Sequence, residues 1–248
     1  MRSIIFVLLT CLSWQVLASD LDDRKDHIKK MEAKISKSAQ DRKTRSEVIL
    51  SKYNVPINNS LPYIEDEHEA LVRTKEEVAN RALALLIVAV KAEGLEQDIV
   101  DFLVQGYHLE KVFTPNEISF INEKEPSQHD KDQFIWRYEA AWVLLWSLGF
   151  VDDLSYPNQI CDVTAAVTFM QQRNKEQFVN DARLRPITEM LNEADLIYRY
   201  HWAVVDARVN GQPTPAELDS SVVLERHYSL NWLIGYMEQE WDDISTDT

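Results

Sequence analysis

The sequence predicts an all-α fold: a single multi-helix domain, with a charged N-terminal helix or linker after a signal peptide. Three observations predict it. The 248 residues include only five glycines, too few for glycine-rich phosphate loops or long β-meanders and suited to helices closed by single glycines. No stretch sustains strict apolar–polar alternation over more than a few residues, so no strand is expected. Apolar runs follow capping sequences instead: Thr74-Lys-Glu-Glu77, Thr114-Pro-Asn-Glu117 and Thr214-Pro-Ala-Glu217. The apolar fraction of 45% and the seven tryptophans imply a sizeable packed interior.

The chain opens with an address. Arg2 precedes an apolar run from Ile4 to Leu9, continued by Cys11, Leu12 and Trp14. Val16 and Ala18 set small residues at −3 and −1 of a cleavage after Ala18, so residues 1–18 read as a signal peptide. The expected location is periplasmic or secreted. The run is short and interrupted for a bilayer span, so no transmembrane span is expected after cleavage; a retained anchor is the alternative. A lipoprotein signal through Leu8-Leu9-Thr10-Cys11 fits less well, because Thr10 is large and Cys11 comes early. Residues 19–41 form a charged helix or linker, with Leu21, Ile28, Met31 and Ile35 as a thin apolar stripe. That stripe suits a spacer or a partner-binding helix. Cleavage removes Cys11 and leaves Cys161 as the lone thiol, without an internal disulfide. No His or basic residue stands near Cys161 in sequence to activate it, so it reads as a small buried side chain.

The helical domain covers 42–248. Pro56, Pro62 and Asn58-Asn59-Ser60 mark an irregular connection over 53–73. Val78 to Ala92 is apolar on nearly every side, interrupted by Asn80, Arg81 and Lys91, and Gly94 can close it; such a helix is buried. Gln97 to Gln105 forms an amphipathic helix ending at Gly106. Pro115 sits at the first position of the next. Glu123 to Asp130 is polar loop. Phe134 to Leu148 is a strong helix carrying Trp136, Trp142 and Trp146, closed by Gly149. Asp162 caps a short helix through Gln172. Pro186 opens a long helix to Val209, closed near Gly211. The last helix starts at Ser220 or Ser221 and runs to about Glu240.

Several function classes are disfavoured. A formal charge of −15 repels nucleic-acid backbones and anionic lipid surfaces. The chain lacks Gly-x-Ser-x-Gly, a Walker loop, Gly-x-Gly-x-x-Gly, His-Glu-x-x-His, a Cys/His cluster and an Asp-rich calcium loop. No cofactor and no metal are expected. The candidates that remain lie mostly on the last two long helices. At 100° per residue, Asn192, Asp195, Arg199, Trp202 and Asp206 share one stripe. Asp195, Arg199 and Asp206 can form an ion-pair ladder, facing solvent, lying under other helices or lining a pocket. Glu193 falls on an apolar face, and Glu139 stands between Trp142 and Trp146. Each needs a cation, and Arg81 and Arg137 are the spare ones. His201, among Tyr198, Ala194 and Val205, reads first as a satisfied core histidine; His227 follows Glu225-Arg226 one helical turn before Asn231, and with Glu193 the two could make a metal site. Trp241 in the terminal Trp-Asp-Asp segment is expected to dock on the core, with Asp242 and Asp243 near Arg226 or Arg208.

Five segments carry a family resemblance: 82–94, 136–149, 193–203, 225–233 and 241–248. Together they resemble the bacterial domain-of-unknown-function family 4272, from about residue 42 to the last residue. The resemblance implies a mostly helical bacterial domain and brings no activity, cofactor or functional residue with it. Two readings follow. The first is an acidic binding or interaction protein of the cell envelope, with a protein or small-molecule partner; Glu139, Arg199 and Asp206 are its candidate binding residues. The second is a hydrolase-like enzyme using Glu193, Asp195, His201 and His227, which requires those four to converge on one cavity.

Overall fold

Capping chemistry places most helix starts. The computed structural model describes residues 35–248, so the leader and residues 19–34 of the charged 19–41 segment lie outside the described residues. Helix α1 (Lys37–Lys52) begins at Ser36, whose hydroxyl accepts from the Ala39 N–H. Helix α2 (Lys75–Glu93) begins at Thr74 with the reciprocal Thr74–Glu77 box and ends on Gly94 at φ +114°. Helices α3 (Gln97–Gly106), α4 (Pro115–Asn122), α5 (Gln128–Phe134) and α6 (Arg137–Ser147) follow. After them come α7 (Val163–Gln171), α8 (Lys175–Asp181), α9 (Ile187–Val209) and α10 (Ser220–Ile234), with 3-10 turns at Pro215–Glu217, Tyr236–Glu238 and Trp241–Asp243. The described residues contain no strand.

Helix α2 is the axis of one helical domain. Nearly all of Val78–Ala92 is buried, as its all-round apolar pattern predicts. Its main partner is α6, and α3, α4, α5, α7 and α8 pack around it. Helices α9 and α10 pair with each other; α10 also rests on α6, and α1 covers α9. The charges inside α2 are spent on α4. Arg81 pairs with Glu117, the capping-box acid of α4, and donates to the Val112 carbonyl (3.3 Å). Lys91 Nζ donates to the Ile121 and Glu123 carbonyls at the other end of α4 (both 2.7 Å). A cation there also answers the partial negative charge of a helix C-terminus. The irregular 53–73 connection is held the same way: Arg42 donates to the Glu65 carbonyl, and Lys43 to the Asn59 and Leu61 carbonyls.

Four expectations need correction. The strong helix expected over Phe134–Leu148 starts three residues later, at Arg137, and a separate short helix precedes it. Helix α5 starts early, because Ser127 caps it inside the expected polar loop, and it stops as Phe134 stacks on Phe120 (4.2 Å between ring centres). The Thr214 box does not form. Ala216 and Glu217 take positive φ (52° and 59°), and α10 is capped instead by Asp219. The last helix stops at Ile234 rather than near Glu240, because Gly235 turns left-handed at φ +73°. A Cβ at Gly235 would run into the Leu71 carbonyl, so close backbone approach as well as conformation requires glycine there. Finally, Asp242 accepts from the Asn116 N–H (3.4 Å) at the start of α4, not from Arg226 or Arg208. Arg226 is occupied inside the core, and Arg208 is exposed.

Trp241 itself docks. Its ring is 3% exposed, meets the edges of Trp232 and Tyr228, and lies under the Arg81 guanidinium at 5.0 Å. The Tyr228 hydroxyl donates to the Trp241 carbonyl, and Asn231 Nδ2 donates to the Ser245 carbonyl (2.8 Å). Removing a buried indole costs about 3 kcal/mol or more. Trp241→Ala is therefore expected to lower the melting temperature by roughly 5–10 °C in a domain of this size. Differential scanning calorimetry checks it, and an unchanged curve would mean the terminal segment is free.

Candidate functional site

The sequence-selected residues separate into three groups. Asp195 and Arg199 form the first. Arg199 Nε and Nη2 donate to the two Asp195 carboxylate oxygens (2.9 and 2.8 Å), and both side chains are 1% exposed. Nη2 also donates to the Pro62 carbonyl (3.3 Å). The stripe does not face water, because α1 and the 53–73 connection lie over it. Nor does the ladder extend to Asp206, which accepts from Asn210 Nδ2 one turn later (3.2 Å).

His201 and His227 form the second group. Their Nδ1 atoms are 2.8 Å apart and their rings meet edge-on, so one ring donates and the other accepts. Burial pushes the pKa of His201 down to about 4, helped by Arg208, and that of His227 down to about 3, helped by His201. Both rings are neutral at pH 7. They face different spaces: His227 lines a cavity of about 310 Å³ beside Tyr63, Tyr198 and Tyr236, and His201 lines one of about 750 Å³ beside Arg208. Asp247 and Thr248 border both. Among the described residues, no three His, Cys, Asp or Glu side chains gather as metal ligands.

Glu193 belongs to the third group, in a small cavity of about 170 Å³ between α1, α9 and the loop after α6. Its carboxylate is 3.8 Å from Arg45; the side chains are 26% and 47% exposed respectively. Tyr53, Tyr156 and Tyr200 form an aromatic wall: the first two stack at 4.4 Å, and Tyr200 meets Tyr156 edge-on at 5.7 Å. Asp153 adds a second carboxylate. Burial raises the Glu193 pKa; Arg45 pulls it back and Asp153 pushes it further up. Arg226 reaches the same cavity from below, but it is committed to Glu139 (3.5 Å) and to the Ser155 carbonyl (2.9 Å). Glu139 also accepts from the Cys161 N–H, and burial raises its pKa against the pull of Arg226. Cys161 is buried, and burial and Glu139 both push its thiol pKa up, which keeps it protonated.

The cation expected for Glu139 was Arg81 or Arg137. Both are engaged elsewhere: Arg81 with Glu117, and Arg137 with Glu225 through both carboxylate oxygens (2.9 and 3.1 Å). Packing of α6 against α10 brings Arg226 to Glu139 instead. Helical spacing sets Tyr200 beside Glu193, but sequence reasoning passed over Arg45, Asp153, Arg226, Tyr53 and Tyr156 as parts of the Glu193 cavity. Of the residues passed over, Arg226 gave a signal, a cation directly before His227 inside an apolar helix.

A family profile matches residues 42–244. The chain belongs to the family described as Domain of unknown function (DUF4272). The DUF4272 match includes all three groups and Trp241, and it begins inside α1. No curated protein and no solved structure matches the chain.

The histidine pair sets a pH dependence. Both folded pKa values lie below the ordinary 6.5, so the unfolded chain takes up protons first on acidification. The stability tied to neutral rings is complete above that value, is lost progressively as pH falls below 6.5, and its loss levels off at the folded values of about 4 and 3. Between pH 6.5 and 5 each ring should cost about 1.5 kcal/mol. Chemical denaturation across this range should therefore show a steeper loss of stability for the native sequence than for the His201→Asn, His227→Gln double variant. Parallel curves would remove the pair from the account.

Proposed function

We propose that this protein is a ligand-binding protein of the cell envelope that takes a small protonated amine at Glu193. The observation that carries it is the Glu193 carboxylate: partly buried, walled by tyrosines and paired with a half-exposed arginine at long range. Arg226 brings no free charge to the cavity, because Glu139 answers it. A ligand ammonium can replace Arg45 at the carboxylate and lie against aromatic faces, which attract cations. The N-terminal leader pattern supports export, and the acidic composition favours cationic ligands. Binding is preferred to hydrolysis because Glu193, His201 and His227 line three different cavities and Asp195 is sealed against Arg199. One observation favours the hydrolytic alternative: Glu193 shares its cavity with Asp153 and holds its proton above the ordinary carboxylate range.

Calorimetric titration with small primary amines, and with carboxylic acids of matched size, tests the proposal. Amines should bind, acids should not, and Glu193→Gln should weaken amine binding about tenfold or more while Arg45→Gln strengthens it. Equal affinity for native protein and Glu193→Gln would sink the reading. Stability supplies an independent check. A raised carboxylate pKa means that the folded state holds this proton more tightly than the unfolded chain, so ionisation weakens the fold as pH rises through that window. Glutamine imitates the protonated acid. Glu193→Gln should thus melt higher than the native protein at pH 7, with the difference closing near pH 4.

A further inference from the structure

The Glu193 cavity carries more acid than one ammonium can answer. Its charged lining consists of Glu193, Asp153, Arg45 and Arg226. Arg226 is neutralised from below by Glu139. That leaves two carboxylates against one free guanidinium, and the guanidinium is the half-exposed Arg45. Asp153 is itself exposed, and it takes part in no ion pair among the described residues. Its charge nevertheless reaches inward: after burial and Arg45, Asp153 is the next influence on the Glu193 proton, and it holds that proton on. Like charges that line one space repel, and cations set against them remove the repulsion.

The ligand can be described by what this lining leaves unmet. Once a ligand ammonium replaces Arg45 at Glu193, both carboxylates face the ligand and a monoamine answers only one. A metal ion fits poorly, because among the described residues no third carboxylate, His or Cys joins the two. An amino acid fits poorly as well, since its own carboxylate would enter a space already in acidic excess. Much of the remaining lining is hydrocarbon and aromatic ring: Ile49, Leu154 and Leu196 beside the three tyrosines. That surface suits methylene groups between two charges. The room is limited, since about 170 Å³ equals roughly six waters at about 30 Å³ each. We infer that the ligand is a short α,ω-diamine, with one ammonium on Glu193, the other on Asp153 at the solvent side, and its methylenes against the tyrosines. This inference rests on the amine reading and names its ligand class.

The probes are 1,4-diaminobutane and 1-aminopentane, which have the same number of non-hydrogen atoms and differ in the second ammonium. Calorimetric titration into the full protein should show the diamine binding about fivefold more tightly, the upper range for an ion pair that touches water. Added salt should shrink that advantage. Asp153→Asn should abolish it and Asp153→Glu should keep most of it. Glu125→Gln, which removes an exposed acid outside the cavity, should keep all of it. Glu193→Gln should weaken both ligands. Equal affinities, with both ligands still dependent on Glu193, would overturn the diamine assignment and leave the amine reading standing. An advantage that survives Asp153→Asn would overturn it too. So would an advantage that Glu125→Gln reduces as much as Asp153→Asn does, the result expected if the overall acidity of the protein draws the diamine. Failure of both ligands to bind would overturn both readings.

Discussion

The Arg81–Glu117 pair is the contact on which the rest of this structure leans. It joins the central helix to the capping box of α4, and the same guanidinium lies over Trp241. Three segments distant in sequence therefore meet on one side chain. Both partners are almost wholly buried, so the pair gains little over a well-packed apolar contact, while loss of one partner strands the other charge in the core. What the pair supplies is placement. It fixes the first turn of α4 against α2, Lys91 fixes the last turn, and the terminal segment is seated at the Arg81 end.

This arrangement explains which parts of the fold were legible in the sequence. Local rules read well where the evidence is local. Thr74 and Thr114 cap their helices through reciprocal boxes, and the all-round apolar run after Thr74 becomes the buried axis. The same rule failed at Thr214, where the Tyr156 hydroxyl holds the Ala216 carbonyl and the backbone turns left-handed. The last helix ended early for a similar reason: Leu71 packs so closely on Gly235 that the backbone there belongs to a turn. In both places a residue far away in the chain decided the local conformation.

The candidate site was less legible, because charge partners are chosen by packing rather than spacing. Periodicity marked Glu139 and Glu193 as carboxylates that need cations, and both have one. It could not name Arg226 and Arg45, which reach them from α10 and α1. Helical spacing did connect Asp195 with Arg199, since both lie on one helix. It failed one step later at Asp206, whose side chain turns to Asn210. The histidine pair shows the limit most clearly. His201 looked like a core residue, and both it and His227 are buried; that they are hydrogen-bonded to each other follows only from the approach of α9 to α10.

Polar residues inside apolar helices thus have two different fates here. In the Asp195–Arg199 and His201–His227 pairs each group's main partner is the other, and burial then holds the rings neutral and the ion pair closed. Glu193, Asn80 and Trp241 differ in kind. Their neighbours leave part of their hydrogen-bonding or charge capacity unmet, as they do for one nitrogen of Arg199; of these groups, Glu193 is the one that is partly exposed within its cavity. A folded chain has no energetic reason to retain that deficit, since apolar residues of similar shape would pack at least as well. An external partner gives one. The argument for binding therefore rests on Glu193, whose carboxylate a ligand can reach.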